Sequence, residues 1–215
     1  FSMHYFYDEN FLLPISDDEV VHGKSPMLYK MPGDDWGKFA NLRLLYTYMF
    51  THPGAKLLFM GCEFGQTAEW NYKSELDWEL LQFDSHNKLQ ETVRALNHLY
   101  KNEPAMHEYQ FDPKGFEWVA THYRDEGVLM YKRKGRHRKD DLLIILNITG
   151  KAHREWSFEI KGKNEWQQIF NSDDTAYWGT GNYMNEQLVC KQVDKKKKIC
   201  EIKINIPALA AMVFR

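Results

Sequence analysis

The sequence predicts an α/β segment followed by an antiparallel all-β domain. The first observation is an alternation of strand-like and helix-like segments, in the order strand, helix, strand, helix, up to about residue 104. The second is a change after Phe116 to short strands with period-two alternation, separated by polar turns. Alternating elements imply parallel strands joined by helical crossovers, whereas closely spaced short strands are typical of a β-sandwich. We therefore predict two domains, residues 1–112 and 113–215.

The α/β segment is predicted as two strands and two helices. A strand over residues 9–16 precedes a helix that Asp34 opens and a Pro-Gly pair ends. A short strand over 55–60, apolar enough to be buried on both faces, leads to a second helix from Ser85 to just before Pro104. Both helices carry apolar residues at three- and four-residue spacing: Phe39, Leu42, Tyr46 and Met49, then Leu89, Val93, Leu96 and Tyr100. Two such units cannot close a sheet, so this part is expected to be incomplete.

The all-β domain is predicted from five short segments of strand character. Polar turns at 133–135 and 161–163 separate some of them. Alternation of apolar and polar residues favours strands with one face in a core. The segments are 127–132, 142–147, 156–160, 200–206 and 211–214.

Composition narrows the function classes. The chain has 215 residues, 43% of them hydrophobic, and a formal net charge of -2, which argues against a nucleic-acid partner. We interpret the one lysine run, 195–198, as a solvated hairpin tip. No apolar run is long enough to span a bilayer, so no membrane association is expected. Three cysteines cannot all be paired and lack metal-type spacing, which predicts no metal site and favours the cytoplasm.

A cluster of carboxylates follows the first predicted strand. Asp17, Asp18 and Glu19 come directly after residues 9–16. In a βα barrel the carboxyl ends of the strands face the active site, so these acids are candidates for chemistry. The alternative is a solvated acidic turn that caps the segment after it.

Several sequence motifs follow one another in a fixed order along the chain. They are Ser16 to Lys24, Lys30 to Trp36, Lys38 to Leu45, Leu57 to Gln66, Leu76 to Trp78, Asp112 to Trp118, Phe170 to Asp173 and Ile206 to Ala211. One short pattern would be weak, but several independent motifs across the whole chain are specific. Together they resemble the motifs of glycogen branching enzymes, which are 1,4-α-glucan 6-glycosyltransferases of the α-amylase superfamily.

The resemblance implies a fold and a reaction. It makes residues 1–112 the last two βα units of an eight-fold (β/α)8 barrel, followed by the β-sandwich. It implies transfer of an α-1,4-glucan segment to a 6-hydroxyl with retention, for which the family uses a nucleophile, an acid and a third carboxylate. The family's nucleophile and acid precede every residue of this sequence, so the chain alone is expected to be inactive. The implied partners are an α-glucan, such as glycogen or amylose, and the N-terminal remainder of the barrel, and no cofactor is implied.

Asp18 occupies the position of the family's third carboxylate, which stabilises the distorted sugar in the transition state. Asp17 stands where the family has a histidine, and an ionised carboxylate cannot donate the hydrogen bond that the histidine gives. We therefore hypothesise a weakened or altered branching enzyme. The alternatives are a glycan-binding descendant without catalysis and a debranching-type relative of the same architecture.

The remaining candidate residues lie on two loops and are assigned to substrate binding. Asp17 belongs to this set as well, because the residue it replaces contacts the same sugar. For the charged residues of the first loop, an equally good interpretation is that they pin the loop, and the second loop could be ordered around its own aromatic residues. The loop after the first strand contributes Glu19, His22 and Lys24, and the loop after the second contributes Glu63, Gln66, Trp70, Asn71 and Trp78.

Overall fold

A computed structural model describes residues 3, 7–120, 122–123, 125–194, 196 and 198–215. The first part of the chain contains two strands and three helices: β1 (Leu12–Ile15), α1 (Met27–Lys30), α2 (Asp35–Thr51), β2 (Ala55–Leu58) and α3 (Asp84–Asn102). Strands β1 and β2 are parallel, with Leu12 opposite Ala55 and Ile15 opposite Leu58. The strand, helix, strand, helix order is therefore confirmed.

The long helices begin and end at the residues that the sequence indicates. The Asp34 carboxylate accepts a hydrogen bond from the Gly37 amide at 2.8 Å, which caps the first turn of α2. Helix α2 ends at Thr51, just before the Pro53-Gly54 pair, and α3 ends at Asn102, before Pro104. Both helices pack against each other and carry the expected apolar faces into the core.

Among its described residues, the second part of the chain forms nine strands: β3 (Phe116–Ala120), β4 (Val128–Arg133), β5 (Leu142–Asn147), β6 (His153–Lys161), β7 (Glu165–Asn171), β8 (Gln187–Val189), β9 (Lys191–Asp194), β10 (Ile199–Ile206) and β11 (Ala210–Phe214). They form a six-stranded sheet in the order β3-β4-β5-β11-β7-β8 and a three-stranded sheet in the order β6-β10-β9. Every pairing within the two sheets is antiparallel. All five predicted strands are present, whereas β3, β7, β8 and β9 were not predicted.

The six-stranded sheet has a hydrophobic core on each face. Alternate residues of β5 divide between them: Leu143 and Ile145 face the three-stranded sheet, while Leu142, Ile144 and Leu146 face the helices. The core that contains Leu143 and Ile145 is the interior of the sandwich. The core that contains Leu142, Ile144 and Leu146 joins α2 and α3 to the outer face of the six-stranded sheet. Helices and sandwich thus share a continuous core, and the 112/113 domain boundary stays a prediction.

Two buried arginines tie the helices to the sandwich. Arg43 on α2 donates from Nε to the Ser172 carbonyl at 2.9 Å. Arg133 at the end of β4 donates to the carbonyls of Thr51, Met106 and Gly115 at 2.9, 3.1 and 3.2 Å. Burial lowers the pKa of each guanidinium to about 10, so both stay charged near neutral pH.

Two features depart from expectation. Leu57 in β2 is 40% exposed, so the prediction of a strand buried on both faces is wrong for this chain, because β2 has a strand partner on one side only. Cys190 and Cys200 form a disulfide and leave Cys62 free and buried, a pairing that the odd number of cysteines did not predict.

Among the described residues, no helix is both long and apolar enough to cross a membrane. Lys195 and Lys197 of the predicted hairpin tip lie outside the described residues.

Candidate functional site

The candidate site lies where β1 and β2 end side by side. Ile15 is opposite Leu58, and the Phe59 amide donates to the Ile15 carbonyl at 2.8 Å, which extends the pairing beyond the strands. Because the strands are parallel, the loops that follow them leave the same edge of the sheet. The acids after β1 and the polar and aromatic residues after β2 therefore share one edge, as the sequence predicted.

Asp17 and Asp18 present their carboxylates to solvent. Both lie in a 3-10 turn, Asp17–Glu19, and both side chains are exposed. Neither carboxylate forms a hydrogen bond or an ion pair with any residue that the structure describes, although the Asp17 carbonyl accepts the amides of Val20 and Val21. Two carboxylates without an internal partner are available to accept hydrogen bonds from the hydroxyls of a sugar.

Glu19, in contrast, is used within the loop. Its Oε2 accepts the Ser16 amide at 2.6 Å and the Ser16 hydroxyl at 2.8 Å, so residues 16–19 form a capping box. These bonds, above all that from the Ser16 hydroxyl, hold the pKa of the Glu19 carboxyl below its usual value. The structure thus gives Glu19 the loop-pinning role that the sequence left as its alternative.

Glu69 joins the two loops and was not among the candidate residues. Its carboxylate accepts the amides of Gly23 and Ser25 at 3.0 and 2.8 Å and lies 3.2 Å from Nδ1 of His22. The hydrogen bonds from Ser25 and Gly23 lower the pKa of the Glu69 carboxyl. The His22 ring is otherwise fully exposed, and Lys24 is exposed as well. No sequence signal points to Glu69, since the residues it binds precede it by more than 40 positions.

Gln66 organises the loop after β2. Its Oε1 accepts the Asp77 amide at 3.2 Å, and its Nε2 donates to the Ala68 carbonyl at 3.3 Å. Gly61 lies against this side chain with a positive φ of 87°, and a Cβ there would lie 3.0 Å from Gln66 Oε1. The buried amide of Gln66 is therefore occupied by its own loop, while Glu63 is half-buried beside it.

The two tryptophans of this loop have different surroundings. Trp70 is half-buried, contacts Phe59 edge to face at 5.2 Å and donates its amide to the Val20 carbonyl at 2.8 Å, so it holds the loops together. Trp78 is 49% exposed and lies near Phe64, with 5.2 Å between the ring centroids and 37° between the ring planes. About half of Trp78 is therefore open to solvent, and the exposed Asn71 lies on the same loop. An exposed indole is the kind of surface on which a sugar face stacks.

Cys62 is not a nucleophile in this structure. The residue is 5% exposed, and burial raises the pKa of its thiol to about 12. The space between the loops around Cys62 has a volume of only about 10 Å³, roughly the minimum for a single water. Any ligand of this edge would therefore bind on its open surface, beside Asp17, Asp18 and Trp78.

The aromatic residues of the sandwich mostly belong to cores and contacts between elements. Trp166 is 1% exposed inside the sandwich. Trp178 contacts Phe39 on α2 at 5.3 Å, and its carbonyl accepts Nε1 of Trp36 at 3.2 Å. The loop of residues 171–182 therefore packs against the helices.

Comparisons with known proteins agree with this architecture. Residues 118–215 match the model of the α-amylase C-terminal all-β domain. The chain is 44% identical over 212 residues to 1,4-alpha-glucan branching enzyme GlgB of Rhodopseudomonas palustris (strain BisA53), covering 99% of the chain and 29% of that protein. It is 43% identical over 215 residues to the enzyme of the same name from Halothermothrix orenii (strain H 168), covering 100% of the chain and 34% of that protein. Along its whole length, the chain is similar to these proteins named 1,4-alpha-glucan branching enzyme.

The fold of the chain is similar to that of a solved enzyme structure. A debranching enzyme from Nostoc punctiforme superposes with a TM-score of 0.58 over 94% of the chain and 34% of that protein, at 12% sequence identity. At such identity the likeness concerns the fold alone, so it does not favour the debranching alternative. The chain spans about a third or less of the two relatives named above.

Proposed function

We propose that this chain supplies the third carboxylate and the C-terminal β domain of a 1,4-α-glucan branching enzyme. The intact enzyme would move an α-1,4-glucan segment to a 6-hydroxyl and form α-1,6 branches in glycogen by a retaining mechanism. The observation that carries the proposal is the exposed Asp18 carboxylate at the carboxyl end of β1, in a chain 44% identical throughout to a protein of that name.

Asp18 is proposed to act by accepting hydrogen bonds from sugar hydroxyls at the cleavage site. Such bonds strengthen as the ring flattens toward an oxocarbenium-like transition state, so they lower the barrier instead of only tightening binding. Its carboxylate has no competing partner among the described residues, which leaves its acceptor positions available to substrate. Asp17, Lys24, Asn71 and Trp78 are proposed to bind the glucan beside it.

The proposal also names what lies next to this chain. An apolar groove of about 300 Å³ lies between β1 and α2 and is lined by Leu13, Pro14, Ile15, Leu45 and Met49, among others. Among the described residues, β1 has a strand partner on one side only, which suits the preceding units of a (β/α)8 barrel, of which β1, α2, β2 and α3 would be the last two. The nucleophile and the acid would come from those preceding units, in the cytoplasm.

The decisive experiment uses a full-length protein that contains this chain. We expect Asp18→Asn to reduce the formation of α-1,6 linkages from amylose by a factor of about 100 or more, since the carboxylate acts on the transition state. Asp35→Asn, which removes an exposed carboxylate on α2 paired only with Lys38, is the control and should leave activity unchanged. Equal activity of Asp18→Asn and the control would refute the assignment.

A second variant tests the departure from the family. Asp17→His restores a hydrogen-bond donor, and we expect it to raise the branching rate. Unchanged turnover would end the hypothesis of a weakened enzyme. Glycogen affinity with no turnover in either form would support the glycan-binding alternative, and release of reducing sugar would support the debranching one.

A further inference from the structure

The all-β domain carries most of the chain's positive charge. Nineteen of the 28 Lys and Arg residues lie within 113–215, together with only 13 of the 30 Asp and Glu residues. The whole chain has a net charge of only -2, but its α/β part is acidic and its β part is basic. A basic domain attracts anionic ligands even where the whole chain is slightly negative.

Part of this charge gathers around one groove at the end of the sandwich. The groove has a volume of about 820 Å³, within the usual range for a small-molecule site. Four separate segments line it: a 3-10 turn before β5, the β6–β7 turn, the β9–β10 hairpin and the residue after β11. Its lining contains no Asp or Glu residue, and its cationic residues are Arg138, Lys139, Lys163, Lys198 and Arg215. We refer to these five residues and the space between them as the basic groove.

The cations of the basic groove are only partly neutralised. Arg138, Lys139 and Lys198 are exposed and form no ion pair with any described residue. Arg215 is paired with Glu103 at 3.2 Å, and this is the one carboxylate bound to a cation of the groove in the described structure. At least three positive charges are therefore available to a ligand.

The shape of the basic groove is set by contacts inside the protein. Nζ of Lys163 donates to the carbonyls of Lys139 and Asp141, each at 2.7 Å, and so fixes the β6–β7 turn to the turn before β5. At Gly162 a side chain would begin 3.9 Å from a terminal nitrogen of Arg138, so glycine leaves the space beside that guanidinium open. These contacts hold two of the four segments of the basic groove together.

We propose that the basic groove binds the phosphate ester of a phosphorylated carbohydrate. Phosphate accepts paired hydrogen bonds from a guanidinium and charge-assisted bonds from ammonium groups, which are the donors that Arg138, Lys139 and Lys198 offer. The exposed Asn164 amide at the same surface can bind a sugar hydroxyl. The carbohydrate part of the ligand rests on the proposed function, whereas the phosphate part rests on the groove alone. The ester has two sources, a free sugar phosphate or a phosphorylated glucan chain.

Binding to the purified chain by isothermal titration calorimetry tests the proposal without measuring turnover. The probes are glucose 6-phosphate, a phosphorylated maltooligosaccharide, and glucose and maltoheptaose as their unphosphorylated counterparts. We expect at least one phosphorylated probe to bind saturably and neither counterpart to bind at this site. Binding of only the oligosaccharide would identify the glucan chain as the source, and binding of glucose 6-phosphate would identify the free sugar phosphate.

Variants locate the binding. The triple variant Arg138→Ala, Lys139→Ala, Lys198→Ala should weaken binding by about tenfold or more, because it removes three exposed charged donors. The charge-matched control Lys151→Ala, Arg154→Ala, Lys203→Ala, at exposed positions of the same domain, should keep the affinity of the parent chain. All these residues are exposed, so the variants should fold.

Three results would overturn the proposal. The first is that neither phosphorylated probe binds saturably, and the second is that the control variant loses as much affinity as the triple variant. The third is that inorganic phosphate or a DNA duplex binds as tightly as the phosphorylated probes, which would show a nonspecific anionic contact. Because the assay involves neither Asp18 nor catalysis, failure of the branching proposal leaves the phosphate result intact, and the reverse also holds.

Discussion

Replacing Arg133 with methionine should strongly destabilise the protein. The Arg133 side chain is fully buried and donates to three carbonyls from different segments: Thr51 at the end of α2, Met106 after α3, and Gly115 before β3. One guanidinium thus holds three chain segments against the end of β4. Methionine fills similar volume but can donate to none of them.

The expected loss follows from the acceptors that are left behind. The Gly115 carbonyl keeps a second donor, the Lys134 amide at 3.0 Å, so it remains satisfied. The carbonyls of Thr51 and Met106 lose a charged donor and stay buried, at about 1–3 kcal/mol each. We therefore expect Arg133→Met to lower the free energy of unfolding by about 2–6 kcal/mol.

Urea unfolding monitored by circular dichroism measures this change, with m-values compared to confirm that the same cooperative unit unfolds. Arg94→Met on the exposed surface of α3 is the control, because Arg94 pairs only with the neighbouring Glu91 and should contribute about 0.5 kcal/mol or less. If Arg133→Met does not fold, Arg133→Lys, which keeps the charge but cannot span all three carbonyls, should show a smaller loss. A loss for Arg133→Met no larger than that of Arg94→Met would refute the reasoning.

Three further outcomes are expected. Gly179→Ala should unfold at a clearly lower urea concentration than Gly150→Ala. A methyl group at Gly179 would lie 2.1 Å from the backbone of Asp173, whereas one at Gly150 has nothing within 4 Å. Equal urea midpoints for the two variants would show that the loop adapts. Burial lowers the pKa of His52 from 6.5 to about 4. As the pH drops, the unfolded chain therefore binds a proton at this histidine before the folded chain does. The free energy of unfolding should fall by up to about 3 kcal/mol between pH 6.5 and pH 4. A His52→Gln variant should lack that part of the pH dependence in urea titrations, and an unchanged profile would contradict the assignment. Cys190→Ser should cost about 3 kcal/mol in oxidised protein, since the Cys190–Cys200 bond closes a loop with a sequence separation of 10, and the same variant should have little effect under reducing conditions.

The candidate site was predictable where local pattern and parallel pairing sufficed. An apolar strand followed by acids located Asp17 and Asp18, and the alternation of strands and helices implied that the next loop would share their edge. The sequence did not predict which acidic residues of the loops would face solvent and which would bind backbone amides. Glu19 and Glu69 are both acidic loop residues, yet each is used to hold backbone amides in place, which depends on where the chain turns.

The missed strands have a similar explanation. Strands β8 and β9 are short edge segments with mostly exposed residues, so they lack the alternation that identified β6 and β10. The continuous apolar run of β5 predicts a strand, but the sequence does not indicate that the face of β5 outside the sandwich packs against helices. The structure shows both faces covered, which is why all six of its residues are buried.

The sequence by itself determined the order of elements, the resemblance to branching enzymes and the position of Asp18 after the first strand. These depend on periodicity and motifs, which are local properties of the chain. Only the tertiary structure decided that Arg133 would join three segments, that Glu69 would join two loops, and that basic residues from four segments would line one groove. Such contacts connect residues far apart in sequence, and they are set by how the sheets and helices pack rather than by any local pattern.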